Sequence, residues 1–269
     1  MSITFLGGGN MANALIGGLI ARGFPAHDIA VIEISPSARE RVAQHGVRVS
    51  TAPDAASAKA DTWVLAIKPQ DARTALAGVA ASVRDALVIS IVAGVRIAAL
   101  SRWLGGHRSL VRCMPNTPAL IAAGIAGLYA LPEVTAAERE RAQRILGAVG
   151  EVVWLNDERL LDTVTAVSGS GPAYVFWLIE QLAAFAARAG IGKAEALKLA
   201  THTVLGSAKL AAQSAEPPAE LRARVTSKGG TTEAALRVFA QEKLAERLAQ
   251  ALAAATQRSG ELGDELAKD

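Results

Sequence analysis

The pattern of hydrophobic and polar positions changes about halfway along the chain. Up to about residue 156, short runs rich in β-branched residues alternate with alanine-rich stretches of helical periodicity. The runs predict strands at residues 2–6, 28–34, 62–67, 86–91, 109–114, 125–130 and 151–154. Strands that alternate with helices are typical of an α/β fold with a doubly wound parallel sheet.

After Arg159 the pattern is helical only. Helices are predicted at residues 172–188, 193–212, 218–224, 232–239 and 243–258. Glycines and the pair Pro217 and Pro218 separate them, because both residue types interrupt helices. The sequence therefore predicts two domains, an α/β domain over residues 1–158 and an all-helical domain over residues 159–269.

The predicted helix over residues 172–187 is apolar on almost every side. Only Glu180 and Gln181 interrupt it, so no polar face remains for solvent and the helix must be buried all round. A helical domain of about 110 residues has limited means to bury such a helix alone, so we expect a partner subunit to cover it. The alternative is a central helix in the core of a monomer.

A glycine-rich turn follows the first predicted strand. Gly7, Gly9 and Ala12 form the pattern Gly-x-Gly-x-x-Ala between a strand and a helix. This arrangement lets the backbone approach the pyrophosphate of a dinucleotide, although it also occurs as a simple turn. The second strand ends in Glu33, where a ribose-binding carboxylate belongs.

A second loop, residues 225–232, combines small hydroxyl side chains with Gly229 and Gly230 and precedes a predicted helix start at Thr231 or Thr232. Unpaired N–H groups and the positive end of the helix dipole favour an anion at such a place. The loop therefore suits a carboxylate, and an ordinary helix cap is the alternative.

Composition excludes several other classes of protein. The net charge is only +3, from 28 basic and 25 acidic side chains, and no basic block indicates nucleic acid as a partner. The single cysteine, Cys113, rules out an internal disulfide and fits a reducing cytoplasm. No apolar run is long enough for a membrane span. The four histidines lack the spacing of metal ligands, so we expect no metal.

Five motifs follow one another along the chain, at residues 5–12, 66–70, 114–118, 168–174 and 226–232. Together they resemble the pyrroline-5-carboxylate reductase family, and the likeness runs through the whole chain in order. The resemblance implies reduction of 1-pyrroline-5-carboxylate to L-proline, the last step of proline biosynthesis. It also implies a Rossmann-type N-terminal domain, a helical C-terminal dimerisation domain and a homodimer or higher homo-oligomer.

The resemblance also assigns site residues. NADPH is the implied cofactor, with NAD as the alternative, and its implied contacts are Leu6, Gly7, Gly8, Gly9, Asn10, Met11, Ser35, Ala66, Ile67, Lys68, Pro69, Ile91, Val92 and Ala93. The implied substrate contacts are Ser227, Gly230, Thr231 and Thr232, of which Thr232 is the catalytic residue whose hydroxyl reaches the ring nitrogen. Two departures stand out: Glu33 and Ile34 replace a frequent Asn-Arg pair, and Val92 replaces the usual alanine.

Two other functions remain open from the sequence. Another imine or ketone reductase would share the nucleotide-binding loops but need not have the loop at residues 226–232. A protein that senses a nucleotide without turnover is the second alternative. The lack of lysine and histidine in residues 172–187 argues against an alcohol dehydrogenase, which needs a proton-transferring side chain beside the reacting oxygen.

Overall fold

The computed structural model describes residues 1–55 and 57–268 of the chain. They form two compact units. The first contains Met1–Ser170 and the chain from Ala255 onward, and the second contains Gly171–Ala254.

An eight-stranded sheet is the centre of the first unit. Its strands are β1 (Ile3–Leu6), β2 (Ile29–Ile32), β3 (Arg48–Ser50), β4 (Thr62–Leu65), β5 (Leu87–Ser90), β6 (Leu110–Met114), β7 (Gly124–Ala130) and β8 (Gly150–Trp154). Their spatial order is β3-β2-β1-β4-β5-β6-β7-β8. The chain thus starts in the middle and winds outward in both directions, which confirms the doubly wound sheet.

One pair of strands departs from the parallel arrangement that the sequence predicts. Strand β7 runs antiparallel to β6, whereas β8 is again parallel to β7. The connection between β6 and β7 holds a 3₁₀ turn at Thr117–Ile121 and no α-helix. A parallel crossover needs a dozen or more residues, so this shorter connection can only turn the chain back.

Helices cover both faces of the sheet. They are α1 (Asn10–Ala21), α2 (Pro36–Ala43), α3 (Ala72–Val83), α4 (Ile97–Trp103), α5 (Ala136–Leu146) and α6 (Leu160–Val164). Two separate cores result, because neighbouring strand residues point to opposite faces. Val64 packs with α1, α2 and α5, whereas Trp63 and Leu65 pack with α3 and α4.

The second unit is entirely helical in its regular elements. It contains α7 (Gly171–Arg188), α8 (Lys193–Gln213), α9 (Pro218–Arg224), α10 (Thr231–Gln241) and the first part of α11 (Leu244–Leu266). The predicted helices are present with ends shifted by a few residues, except that α11 continues past its predicted end at residue 258. Its later glycines face Arg96, and a Cβ on Gly263 would stand only 2.7 Å from the Arg96 Nε atom.

The compact units are not identical with the predicted domains 1–158 and 159–269. Helix α6 and the second part of α11 belong to the sheet unit. Polar contacts within that unit hold them there, including a 2.8 Å hydrogen bond from Ser259 to Asp162.

Apolar side chains of α7 stand exposed on the single chain. Phe176, Trp177 and Phe185 are each about 60% exposed or more. The sequence requires these side chains to be buried, and the helical unit on its own does not bury them. Among the described residues, no helix combines the length and apolar character needed to cross a membrane.

Candidate active site

The glycine-rich turn lies at the carboxyl end of β1, where ligands bind in open α/β sheets. Gly7 has a positive φ of +99°, and a Cβ there would stand 2.5 Å from the carbonyl oxygen of Ala66. Only glycine suits this position. The N–H of Gly7 donates to the Ile32 carbonyl at 2.8 Å, which fixes the turn beside the end of β2.

Gly9 is different, because its surroundings are open. It precedes α1 as its N-cap, and a Cβ built on it meets no atom within 4 Å. No side chain in the described structure caps the helix. The N–H groups of the first turn of α1 therefore have no side-chain cap beside an unobstructed N-cap residue, which is an arrangement that suits a pyrophosphate. The residues present fit a dinucleotide cofactor.

The other predicted cofactor segments follow neighbouring strands at the same edge. The N–H of Ala66 donates to the Leu6 carbonyl at 2.8 Å, and the N–H of Ile91 donates to the Leu65 carbonyl at 3.0 Å. The structure thus brings together the segments that contain Leu6 to Met11, Ala66 to Pro69 and Ile91 to Ala93. Val92 lies at this edge with its backbone only. Its side chain is 1% exposed and packs in the core.

Glu33 takes a role at the end of β2 that the sequence does not reveal. One carboxylate oxygen accepts the N–H of Gly8 and the other accepts the N–H of Ser35, each at 2.7 Å. The carboxylate therefore fastens the glycine-rich turn to Ser35, three residues after the end of β2. Arg39 lies beside it and donates to the carbonyl oxygens of Glu33 and Ile34, at 3.2 and 2.7 Å.

A cavity of about 630 Å³ opens beside these strand ends, within the first unit. Pro69, Ala93 and Gly94 line one side of it, and Ser259 and Leu262 of α11 line another. Its lining combines apolar surface with a few polar groups, which is typical of a site for a small organic molecule. The cavity therefore extends the cofactor edge of the sheet.

The predicted substrate residues lie on the loop between α9 and α10 and in the first turn of α10, in the second unit. Helix α10 begins at Thr231 with Gly230 as its N-cap, and no described side chain caps it. Gly229 has a φ of +73°, and its N–H donates to the Glu233 carboxylate at 2.7 Å. The hydrogen bond from Gly229 thus fixes the conformation of the loop. The N–H groups of the first turn of α10 stay available to bind an anion.

Cys113 lies on β6 and is buried in the first core, where it is 3% exposed. Burial raises the pKa of its thiol above the ordinary value. A buried thiol of this kind stays protonated and unreactive at neutral pH. It acts as a small core residue. In the described part of the chain, no three His, Cys, Asp or Glu side chains are grouped closely enough to hold a metal ion.

Sequence reasoning misses two ion pairs whose members are buried or half-buried. Arg96 pairs with Asp162 at 2.9 Å, and Arg112 pairs with Glu158 at 2.7 Å. Both carboxylates come from the segment that precedes the helical unit. Their partners lie more than 40 residues away along the chain. No local pattern in the sequence indicates such pairs, because only the fold brings their members together.

Two family models match the chain. Residues 2–94 match the family of NADP oxidoreductases described as coenzyme F420-dependent. Residues 158–262 match the family described as pyrroline-5-carboxylate reductase dimerisation. The first match contains the glycine-rich turn and the ends of β2, β4 and β5, and the second contains α7 to α10.

Known proteins resemble the chain over almost its full length. The pyrroline-5-carboxylate reductase of Pseudomonas aeruginosa is 45% identical over 98% of this chain and 97% of its own. A pyrroline-5-carboxylate reductase structure from Coxiella burnetii has a TM-score of 0.93 and 38% identity, covering 97% of this chain and 98% of its own. The Plasmodium falciparum enzyme, solved with NADP bound, shares the fold with a TM-score of 0.84 at 24% identity and 98% coverage of both chains.

Fold and family matches together define an NADP-dependent oxidoreductase with a Rossmann-type sheet and a helical dimerisation domain. The full-length likeness narrows this class. The chain belongs to the pyrroline-5-carboxylate reductase family. The match to the dimerisation family also indicates that the protein is a homo-oligomer, in agreement with the exposed apolar side chains of α7.

Proposed function

We propose that this protein reduces 1-pyrroline-5-carboxylate to L-proline with NADPH as the reductant, and that Thr232 is its catalytic residue. The observation that carries the proposal is the loop between α9 and α10 together with the first turn of α10. That turn offers uncapped N–H groups at Thr231 and Thr232 together with the hydroxyls of both side chains. A cyclic imine that bears a carboxylate needs both kinds of group.

Each part of the loop then has a chemical task. The N–H groups of the first turn of α10, with the Ser227 hydroxyl and Gly230, hold the substrate carboxylate, which the positive end of the helix dipole also stabilises. The Thr232 hydroxyl hydrogen-bonds the ring nitrogen and fixes the orientation of the C=N bond. Thr232 is half-buried, so this bond is partly shielded from water.

The reaction adds a hydride to the imine carbon and leaves a proton on the ring nitrogen. When bound, the reduced nicotinamide cofactor supplies the hydride. A protonated cyclic imine is already electrophilic, so the protein need not supply a strong acid. In agreement, the sequence of α7 contains neither lysine nor histidine.

Cofactor binding falls to the edge of the sheet in the first unit. The first turn of α1 receives the pyrophosphate, and the residues after β4 and β5 receive the nicotinamide half. Ser35, whose hydroxyl lies 3.2 Å from the Ser37 hydroxyl, receives the 2′-phosphate together with Arg39. NADH is the weaker alternative cofactor.

The homo-oligomer is at least a homodimer in this proposal, and its small-molecule partner is the cyclic imine carboxylate. Large apolar side chains of α7 and α8 form the contact, since Phe185 is 68% and Leu210 58% exposed on the single chain. An obligate interface is large and apolar in this way. The cytoplasmic location stays a prediction from the cysteine content.

A steady-state assay with 1-pyrroline-5-carboxylate and each reduced nicotinamide cofactor tests the proposal, with other cyclic imines and ketones as competing substrates. Thr232→Ala should lose about one buried hydrogen bond, roughly 1 to 3 kcal/mol or 5- to 150-fold in kcat/KM. Thr232→Ser keeps the hydroxyl and should retain most activity.

Three results would contradict these assignments. Thr232→Ala kinetics equal to those of the wild type would show that the loop is only a structural helix cap. A loss beyond about a thousandfold would mean that the enzyme itself donates the proton. Preference for another imine or for a ketone would overturn the assignment of 1-pyrroline-5-carboxylate as the substrate.

A further inference from the structure

The loop after β5 is held by three polar side chains, of which Asp162 and Ser259 are buried and Arg96 is half-buried. Arg96, the N-cap of α4, donates to one oxygen of the Asp162 carboxylate at 2.9 Å. The other oxygen accepts the Ser259 hydroxyl at 2.8 Å. Asp162 and Ser259 are each only 7% exposed. Asp162 thus joins the loop to α6 and α11, and all three elements belong to the first unit at these residues.

The second part of α11 lies close against the same loop. A Cβ on Gly94 would stand 3.0 Å from the Leu266 side chain, and one on Gly263 would stand 2.7 Å from the Arg96 Nε atom. The Arg96 guanidinium also donates to the Gly260 carbonyl at 3.4 Å. Glycine at residue 263 therefore lets the guanidinium lie directly on the helix.

This loop is also the one that carries the cofactor contacts Ile91, Val92 and Ala93. Arg96 follows Ala93 by only three positions. Ala93 and Gly94 share the lining of the 630 Å³ cavity with Ser259, so one side of Asp162's hydrogen-bond network reaches the cavity wall. A change in the network therefore reaches the surface that the nicotinamide half of the cofactor would meet.

We propose that Asp162, through Arg96 and Ser259, is a positioning residue that holds the loop at residues 91–95 in the conformation that binds the reduced cofactor. This inference rests on the proposed function. None of the three side chains is among the expected contacts of cofactor or substrate. Their effect is exerted through the backbone of the loop, which a preformed site needs in one fixed geometry.

A purely structural role explains the network less well, because α4 has other anchors. The N–H of Ile97 donates to Glu158 at 2.7 Å, and Glu158 is itself paired with the buried Arg112. Ile97 and Leu100 are buried in the second core. Helix α4 should therefore stay in place when the bonds of Asp162 are lost, while the preceding loop becomes looser.

The experiment compares Asp162→Asn and Ser259→Ala with Gln257→Ala as a matched control. Gln257 lies on the same helix, is exposed, and bonds only Glu261 at 2.9 Å among the described contacts. Hydrogen–deuterium exchange of residues 91–97 is measured on the cofactor-free protein. Titration with NADPH gives Kd, and deuterated NADPH gives the isotope effect on kcat.

In the Asp162 and Ser259 variants we expect faster exchange at residues 91–95 and a Kd for NADPH raised about 3- to 30-fold, the worth of one or two hydrogen bonds. The isotope effect on kcat should rise, because a poorly placed nicotinamide slows hydride transfer. The KM for the imine should change little. Gln257→Ala should match wild type in each measurement.

Exchange at residues 91–95 and a Kd equal to wild type in both variants would overturn the inference. So would a loss of stability with unchanged Kd and isotope effect. Should Asp162→Asn fail to fold, Ser259→Ala decides, since it removes one hydroxyl only. Exchange and NADPH titration need no imine, so failure of the proposed substrate assignment would leave their result intact and separate.

Discussion

Two glycines of the same turn allow the cofactor site to be tested against the fold. Gly9→Ala adds a methyl group where the backbone is already in a conformation open to alanine, with φ of −66° and ψ of −175°. No atom lies within 4 Å of the new carbon. Alanine restricts the unfolded chain but caps a helix less well than glycine, so the unfolding free energy should change by less than about 1 kcal/mol.

The same methyl group would occupy the space in front of α1 where we place the pyrophosphate. We expect the Kd for NADPH to rise at least about tenfold, which corresponds to about 1.4 kcal/mol. Gly7→Ala is the contrasting variant. Its φ of +99° and the 2.5 Å approach to the Ala66 carbonyl oxygen should lower the unfolding free energy by about 1 to 3 kcal/mol or more.

Urea unfolding and fluorescence titration with NADPH measure the two effects separately. The reasoning requires that Gly9→Ala loses cofactor affinity with its stability intact, whereas Gly7→Ala loses stability. Normal NADPH affinity in a folded Gly9→Ala protein would refute the placement of the pyrophosphate. A Gly9→Ala protein less stable than Gly7→Ala would refute the account of the turn.

Two further predictions concern assembly and the thiol. Phe185→Glu should split the oligomer or unfold it at micromolar concentration, because this side chain is 68% exposed on the single chain and needs an apolar partner; a folded, fully active monomer by light scattering would contradict this. Cys113 should react with a thiol reagent at pH 8 at least about a hundredfold more slowly in the native protein than in guanidinium, because burial raises the pKa of its thiol and hides it from solvent. Equal rates would show that the thiol on β6 is accessible to solvent in the native protein.

The sequence is sufficient to predict those strands that form clear apolar runs bounded by turn residues. Strand β3 is missed because it has only three residues, Arg48–Ser50, and its first is exposed. The antiparallel direction of β7 is also missed, since no periodicity within a strand states its direction. Helix α11 is predicted too short because glycine usually ends a helix, whereas here Gly263 is needed for the approach of Arg96.

The residues of the candidate site also divide into those that the sequence predicts and those that it does not. Turns with a local signature, at Gly7 to Met11 and at residues 226–232, are recognisable because glycine spacing and helix starts are written in adjacent residues. Asp162 and Ser259 are 97 positions apart and carry no such signature. The inward direction of Val92 is likewise a property of the packed strand end, where its side chain is 1% exposed.

Cofactor choice shows how the structure changes the meaning of a residue. From the sequence, an acidic residue at the end of β2 favours NADH, since a free carboxylate repels a 2′-phosphate. In the structure both carboxylate oxygens of Glu33 accept backbone N–H groups at 2.7 Å. These bonds direct the charge into the turn, and Arg39 adds a cation next to it.

Glu33 is therefore compatible with NADPH, and Arg39 should decide the preference. Arg39→Ala should lower the ratio of kcat/KM for NADPH over NADH at least about tenfold, because a charge-assisted bond to the 2′-phosphate is lost while NADH has no such group. Arg41→Ala on the same helix is the control, since that side chain is exposed at the far end of α2. An unchanged ratio in Arg39→Ala would mean that the hydroxyls of Ser35 and Ser37 hold the phosphate without the guanidinium.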